Sequence, residues 1–190
     1  MQHKILFDYI SQYVPLTTVD WDMLKDNLVV KNYKKKEKIL QEGQVCRYIY
    51  FVETGAIRVY ETAKTGKEIS VFFALNQAFF TNYASFLSQK AGIQTIQAIE
   101  DTKIIAFPYE TVQKGYDCSK NWERFGRLMA EQIFMAEMKR RTDLQKQTYE
   151  ERYHYILKEY PQWLNEIPLH YLASYIGMTK ESLSRIRARK

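Results

Sequence analysis

The side chains with the most chemistry to offer stand at the C-terminal end of the chain. Residues 179–190 hold five basic side chains, Lys180, Arg185, Arg187, Arg189 and Lys190, and one acid, Glu181. Residues 167–190 read as two short helices. Leu169, Leu172, Ala173 and Ile176 share one face of the first, and Gly177 can take the left-handed backbone that ends it. Thr179 is a suitable N-cap for the second, whose inward residues are Leu183 and Ile186. Small Ala173 lets the helices approach, and the short turn sets them nearly perpendicular, as in a helix-turn-helix. On the outward side, Lys180, Glu181 and Arg185 would meet base edges in a major groove. Arg185 can grip a guanine edge with two hydrogen bonds, and Glu181 can accept from a cytosine amino group. Thr179, Ser182, Arg187 and Arg189 would reach phosphates, which position a protein without reading sequence.

The charge distribution agrees. Residues 1–118 carry 14 basic and 13 acidic side chains, whereas residues 119–190 carry 14 and 9, so most of the net +6 lies C-terminally. That suits a segment meeting a polyanion, although a solvated basic helix has the same charge. Constellations for catalysis are missing. His3, His154 and His170 all lie outside residues 29–107, which argues against a haem or a cupin-like metal centre among the strands. Cys46 and Cys118 are too few for a four-thiolate iron–sulfur cluster or a disulfide scaffold. There is no Ser-His-Asp or Cys-His arrangement and no glycine-rich phosphate loop. The expectation is a protein with no enzymatic activity, no metal and no cofactor. The longest apolar runs, such as residues 71–75, are about five residues, too short for a membrane span. The first 14 residues are broken by His3, Lys4, Asp8 and Gln12, unlike a signal peptide. A cytoplasmic protein is expected.

The rest of the chain must position that basic helix. Its 190 residues are 46% apolar and 26% charged, ordinary for a globular protein. Ile5, Tyr9, Ile10 and Tyr13 predict a helix stopped by Pro15, and Asp20 would cap a second one through Trp21, Leu24 and Leu28. From Val29 the period becomes two. Ile49, Phe51, Ile57 and Val59 alternate with Tyr50, Val52, Arg58 and Tyr60 about a turn at Glu53-Thr54-Gly55. A second turn at residues 64–67 precedes Ile69, Val71 and Phe73, and strand patterns at 95–99 and 103–107 flank Glu100-Asp101. The pattern predicts an antiparallel β-roll or barrel closed by Pro108. The basic run at residues 31–38 reads as solvated surface. A long helix follows over residues 119–147, with Trp122, Phe125, Met129, Ile133 and Ala136 on one stripe and Arg124, Glu131, Lys139, Arg140 and Asp143 opposite. Such a stripe needs cover, either from the barrel or from a parallel copy in a homodimer, and the homodimer is expected. Residues 150–190 read as a separate small helical unit.

On Glu42-Gly43, residues 48–55, Gly66-Lys67-Glu68, the long helix, residues 172–177 and residues 182–186, the chain resembles the Crp/Fnr family of bacterial transcription regulators. Residues 172–177 and 182–186 are most similar to short Crp-like regulators of Bacteroidetes-type bacteria. The resemblance implies an α+β fold in three parts. These are a cyclic-nucleotide-binding-like sensor barrel with N-terminal helices over 1–118, a dimerisation helix over 119–148 and a winged helix-turn-helix DNA-binding domain over 149–190. It also implies base contacts by Lys180, Glu181 and Arg185 and phosphate contacts by His170 and Ser182. Double-stranded DNA, a second copy, RNA polymerase and a small-molecule effector would be its partners. The rival reading is a barrel that binds a small molecule or a protein and no longer reads DNA. Since the chain stops at Lys190, little or no wing hairpin is expected.

One departure from the family matters. The region matching its cyclic-nucleotide cassette is residues 79–98, where the Gly-Glu pair is replaced by Thr81-Asn82, and no arginine occurs between Arg58 and Arg124. A buried cyclic phosphate wants a bidentate cationic partner, and the nearby Lys90 lacks that geometry. Neither cAMP nor cGMP is expected. The region is rich in aromatic residues instead. These either fill the barrel core or line a pocket for an apolar effector, with Phe73, Phe80, Thr81, Asn82, Tyr83 and Phe86 as its candidate walls.

Overall fold

Residues 3–188 are described by the computed structural model. The alternating apolar residues form two four-stranded antiparallel sheets. The strands are β1 (Val29–Tyr33), β2 (Lys38–Leu40), β3 (Tyr48–Thr54), β4 (Ile57–Thr62), β5 (Glu68–Ala74), β6 (Ala78–Phe80), β7 (Gln94–Ala98) and β8 (Thr102–Pro108). Their order is β1-β8-β3-β6 in the first sheet and β2-β7-β4-β5 in the second. Of consecutive strands only β4 and β5 are paired. The turns at residues 53–55 and 100–101, expected to close hairpins, instead carry the chain from one sheet to the other. A period of two tells which face a side chain takes, not which strand lies alongside.

These crossings are locked to one another. Gly55 has φ +102°, and a Cβ there would stand 2.6 Å from Thr102 Oγ1 and 2.8 Å from the Asp101 carbonyl oxygen. Its amide donates to Asn76 Oδ1 at 2.7 Å, on the third crossing between β5 and β6, and the amide of Ile99 donates to Ala56 O at 2.8 Å. No side chain other than hydrogen fits that corner.

Helices cover the outer faces of both sheets. On the first sheet, Phe51, Phe79 and Phe107 point outward and meet Tyr9 of α1 (Lys4–Ser11) and Trp122 and Phe125 of α5 (Lys120–Lys146). Leu6 and Ile10 are the buried residues of α1, whereas Ile5, expected inward, is exposed. In α2 (Thr18–Asp22) the N-cap is Thr17 rather than Asp20. Thr17 Oγ1 accepts from the Asp20 amide at 3.1 Å and the Asp20 carboxylate accepts from the Thr17 amide at 3.0 Å, a reciprocal capping box. Three helices went unpredicted: α3 (Tyr83–Ser88), capped by Asn82, α4 (Tyr109–Cys118), which follows Pro108, and the short helix Trp163–Glu166 between Pro161 and Pro168.

Asp20 ties α2 to α5. Its carboxylate accepts from Ser119 Oγ, the N-cap of α5, and from Asn121 Nδ2 at 2.8 Å, while its carbonyl accepts from Trp122 Nε1 at 2.8 Å. Burial pushes this carboxyl upward, and the hydrogen bonds from Ser119, Asn121 and Thr17 outweigh it, holding it well below the usual carboxylate range.

The second sheet is covered by α8 (Leu169–Ile176), part of a cluster with α6 (Tyr149–Glu159), α7 (Trp163–Glu166) and α9 (Lys180–Ala188). Among the described residues, 149–188 do not close a core by themselves. Tyr153, Ile156, Trp163, Leu172 and Leu183 share one apolar cluster with Phe73, Leu75 and Ile99 of the barrel. Ser174 Oγ accepts from the Ser70 amide at 3.1 Å and donates to the Glu68 carbonyl at 3.0 Å, so α8 continues the hydrogen bonding of β5.

Two outcomes test this packing. Ser174→Ala leaves the buried Ser70 amide without its acceptor and should cost about 1–3 kcal/mol, read as a lower midpoint in urea unfolding. Asp20→Asn should lower thermal stability near neutral pH and flatten its acid limb. The native carboxyl stays ionised while the unfolded chain takes up a proton below about pH 4, so the stabilisation is full above that value and drains away as pH falls. Melting curves of the two forms across that range check it; parallel pH dependences would refute the assignment.

Candidate functional site

The geometry of the basic end follows from its local sequence. α8 stops at Gly177, whose φ is +95°, and the amides of Gly177 and Met178 both donate to Ala173 O at 3.0 Å. Thr179 Oγ1 then accepts from the Ser182 amide at 3.2 Å and caps α9. Leu172, Ala173, Ile176 and Leu183 are buried beneath, which seats α9 on a fixed base. Its outward residues Lys180, Glu181, Arg185 and Arg187 are all exposed, and among the described residues none of them makes an ion pair. Arg185 Nη2 lies 3.5 Å from Ser182 Oγ.

Thr179 spends its hydroxyl in both directions, because it also donates to Ser182 Oγ at 3.0 Å. Ser182 Oγ thus accepts from both Thr179 and Arg185. His170 is exposed at the start of α8 with its ring centroid 3.9 Å from that of Tyr171. Burial first, then the positive charges of Arg58 and Lys180, hold its imidazole below the usual histidine range. Arg189 lies outside the described residues.

A cleft of about 770 Å³ opens between the barrel, α3 and α5. Phe80, Thr81, Asn82 and Tyr83 line it, with Val59 and Val71 from the barrel and Met129, Ile133 and Ala136 from α5. Two expected walls are elsewhere. Phe73 faces outward from β5 and packs on Trp163 and Tyr175 at 5.2 and 5.6 Å, while its neighbour Phe72 takes the inward place. Adjacent strand residues face opposite ways, which is why the substitution of one for the other occurs. Phe86 is buried under α3 against Tyr109, at 5.2 Å. Cys46 is buried, and its Sγ lies 3.3 Å from the Tyr48 carbonyl in a packing role.

The stripe expected to meet a second copy is divided. Trp122 and Phe125 are spent inside the chain on the aromatic face of the first sheet, so they cannot also serve an interface. Beyond them α5 leaves the barrel, and Ile133, Phe134, Met135, Met138 and Leu144 are exposed. Lys139 and Arg140, expected toward solvent, turn instead to the C-terminal helices, over the rings of Tyr155 at 4.3 Å and Tyr175 at 5.0 Å.

One buried charge escaped the sequence reading. Arg58 of β4 is buried between barrel and α8, its guanidinium 4.1 Å from the Tyr60 ring centroid and 3.9 Å from that of Tyr171. It pairs with Glu68, and its Nε donates to Gln97 Oε1 at 2.9 Å. The signal available was an arginine two residues before Tyr60 on the same strand face.

Among the described residues no group of three or more His, Cys, Asp or Glu side chains is placed to hold a metal ion. No helix among them is long and apolar enough to cross a membrane.

Comparison with known proteins places the fold. Residues 30–117 match the cyclic nucleotide-binding domain family. No curated protein sequence matches the chain. Among solved structures, FixK2 from Bradyrhizobium japonicum is 23% identical with a TM-score of 0.74, covering 85% of this chain and 83% of its own. A protein from Eubacterium rectale assigned to the Crp/Fnr family of transcriptional regulators is 20% identical with a TM-score of 0.73, covering 96% and 87%. The catabolite activator protein of Thermus thermophilus is also 20% identical, with a TM-score of 0.58 and coverage of 95% and 85%. Residues 30–117 are thus similar to cyclic nucleotide-binding domains, and the chain as a whole shares its fold with these regulators.

Proposed function

We propose that this protein is a homodimeric, sequence-specific DNA-binding transcription regulator that has no catalytic activity and does not respond to cAMP or cGMP. The observation that carries the reading is α9 itself. It holds Lys180, Glu181 and Arg185 exposed, outside any ion pair among the described residues, on a helix seated over buried Ala173 and Leu183, an arrangement that supports a helix-turn-helix reading. In this mechanism the first turns of α9 enter a major groove. Lys180, Glu181 and Arg185 read bases, while His170, Ser182 and Arg187 hold phosphates. Two copies would then read half-sites about 34 Å apart on a near-palindromic operator. Ile133, Phe134, Met135 and Met138 of α5 supply an apolar face suited to a second copy, and RNA polymerase is the natural further partner of a promoter-bound dimer. Against cyclic nucleotides stands the composition of the cleft, which has neither Arg nor Lys in its lining.

Selection from a randomised duplex pool at two salt concentrations is expected to return an inverted repeat. On that operator Arg185→Ala should cost about 1–3 kcal/mol and relax preference at one base pair, whereas Arg187→Ala should weaken all sequences alike and lower the salt slope by about one. Equal losses for Arg185→Ala on every duplex would refute base reading. Failure to enrich any sequence would favour the barrel as the working part. Phe134→Asp with Met138→Asp should convert a dimer to a monomer in sedimentation velocity while the melting temperature holds; an unchanged sedimentation coefficient would remove α5 as the interface.

A further inference from the structure

We propose that the basic turn between β1 and β2, residues 34–38, is a second DNA-binding surface, which takes the backbone phosphates of the duplex flanking the half-site held by α9. The inference rests on the regulator reading above and extends that interface from the C-terminal helices onto the barrel. Residues 31–38 hold five lysines and one acid, Glu37, and Lys34, Lys35, Lys36 and Lys38 are all exposed. Two acids beside them are spent on the turn itself. The Glu37 carboxylate accepts from the Lys34 amide at 2.8 Å, and Asp101 accepts from Lys34 Nζ at 2.8 Å and from the Lys35 amide at 2.9 Å. Among the described residues Lys35, Lys36 and Lys38 make no ion pair, so their charges stand together in water. Lysine suits the task, because a point charge on a flexible stem can meet a phosphate without reading a base.

The turn is fixed in shape and tied to the start of α8. Lys36 has φ +71°, its amide donates to Ala98 O at 2.9 Å, and its carbonyl accepts from Gln97 Nε2 at 2.8 Å. Gln97 Oε1 in turn accepts from Arg58 Nε at 2.9 Å. The Arg58 guanidinium lies over the ring of Tyr171, whose chain neighbour His170 the regulator reading puts on a phosphate. An unbroken series of contacts therefore runs from the lysine turn to the first turn of α8. Charge reports the same proximity. Burial is the main cause that holds the His170 imidazole low, and Arg58, Lys180 and Lys36 add to it against Glu68. One imidazole thus feels a lysine of the reading helix and a lysine of the barrel. Phosphates follow one another closely along a duplex, so a backbone that passes His170 toward the barrel meets further charge of opposite sign there.

The test uses the full chain and the operator returned by the duplex selection, made in two lengths. The short form ends at the half-sites, and the long form adds about ten base pairs on each side. Wild type is expected to bind the long form at least about tenfold more tightly and with a steeper salt dependence. Lys35→Gln with Lys36→Asn should remove most of that gain and leave the short form bound as before; asparagine is chosen because it tolerates the positive φ. Lys114→Gln with Lys120→Gln takes the same charge from α4 and the start of α5 and should keep the gain. A long duplex whose flanking phosphates are replaced by neutral methylphosphonates should bind wild type no better than the short form, a readout that needs no variant to fold. Equal affinities of wild type for both lengths, or a gain that survives the methylphosphonates, would overturn the proposal. So would a gain that survives the paired Lys35 and Lys36 change, or one lost equally with Lys114 and Lys120. Failure to bind even the short form sinks the regulator reading and this extension with it, whereas short-form binding with no gain from length sinks the extension alone.

Discussion

The first turns of α5 are clamped to the barrel by a run of aromatic rings, and the placement of everything C-terminal follows from that clamp. Trp21 stacks on Trp122, Trp122 meets Phe125 edge-on, and Phe125 meets Phe79, which leans on Phe51 and Phe107 of the first sheet. Edge-to-face and stacked rings add a directional preference to the burial of large apolar surface. Asp20 reinforces the same point by holding Ser119, Asn121 and the Trp122 indole together. Together with the docking of α8 on β5 through Ser174 and Phe73, the angle of α5 here sets where α9 stands.

The barrel is used from both sides. Its first sheet receives the N-terminal helices and α5, and its second receives α8 through Phe73, Ser70 and Arg58. The cleft lies between these two attachments, and its walls include Met129 and Ile133 of α5 together with Val71 of β5. A molecule lodged there touches the helix that carries the exposed apolar face and the strand whose other neighbours seat α8. The recess thus borders both α5, which carries the exposed apolar face, and β5, on which α8 is seated.

Much of this was legible in the sequence wherever the information is local. Gly177 and Thr179 announce the end of one helix and the cap of the next because a left-handed residue and a hydroxyl are needed at just those places. Strand alternation gave β3, β4, β5, β7 and β8 nearly as they stand. What could not be read is what one strand does to another far along the chain. The corners at Gly55 and Glu100 look like hairpin turns, since only the packing of two sheets decides that each crosses between them. The stripe from Trp122 to Ala136 looks continuous, yet the barrel covers its first turns and not its last. Tyr60 gave only half of the setting of Arg58, because the other ring that closes over it, Tyr171, comes from the other end of the chain.

Arg58 gives the seam between barrel and C-terminal helices a distinctive response to heat. Seating α8 dries a guanidinium, and Glu68, its partner, stays partly in water, so charge pairing offsets only part of the dehydration. The apolar side of the seam, around Phe73, Trp163 and Tyr175, gains strength as water warms from the cold. Dehydrating a cation meanwhile becomes less costly, because its hydration entropy is strongly negative. Both terms tilt the same way, so the apolar and dehydration contributions to this contact grow on warming within the range where the fold holds and are weakest in the cold.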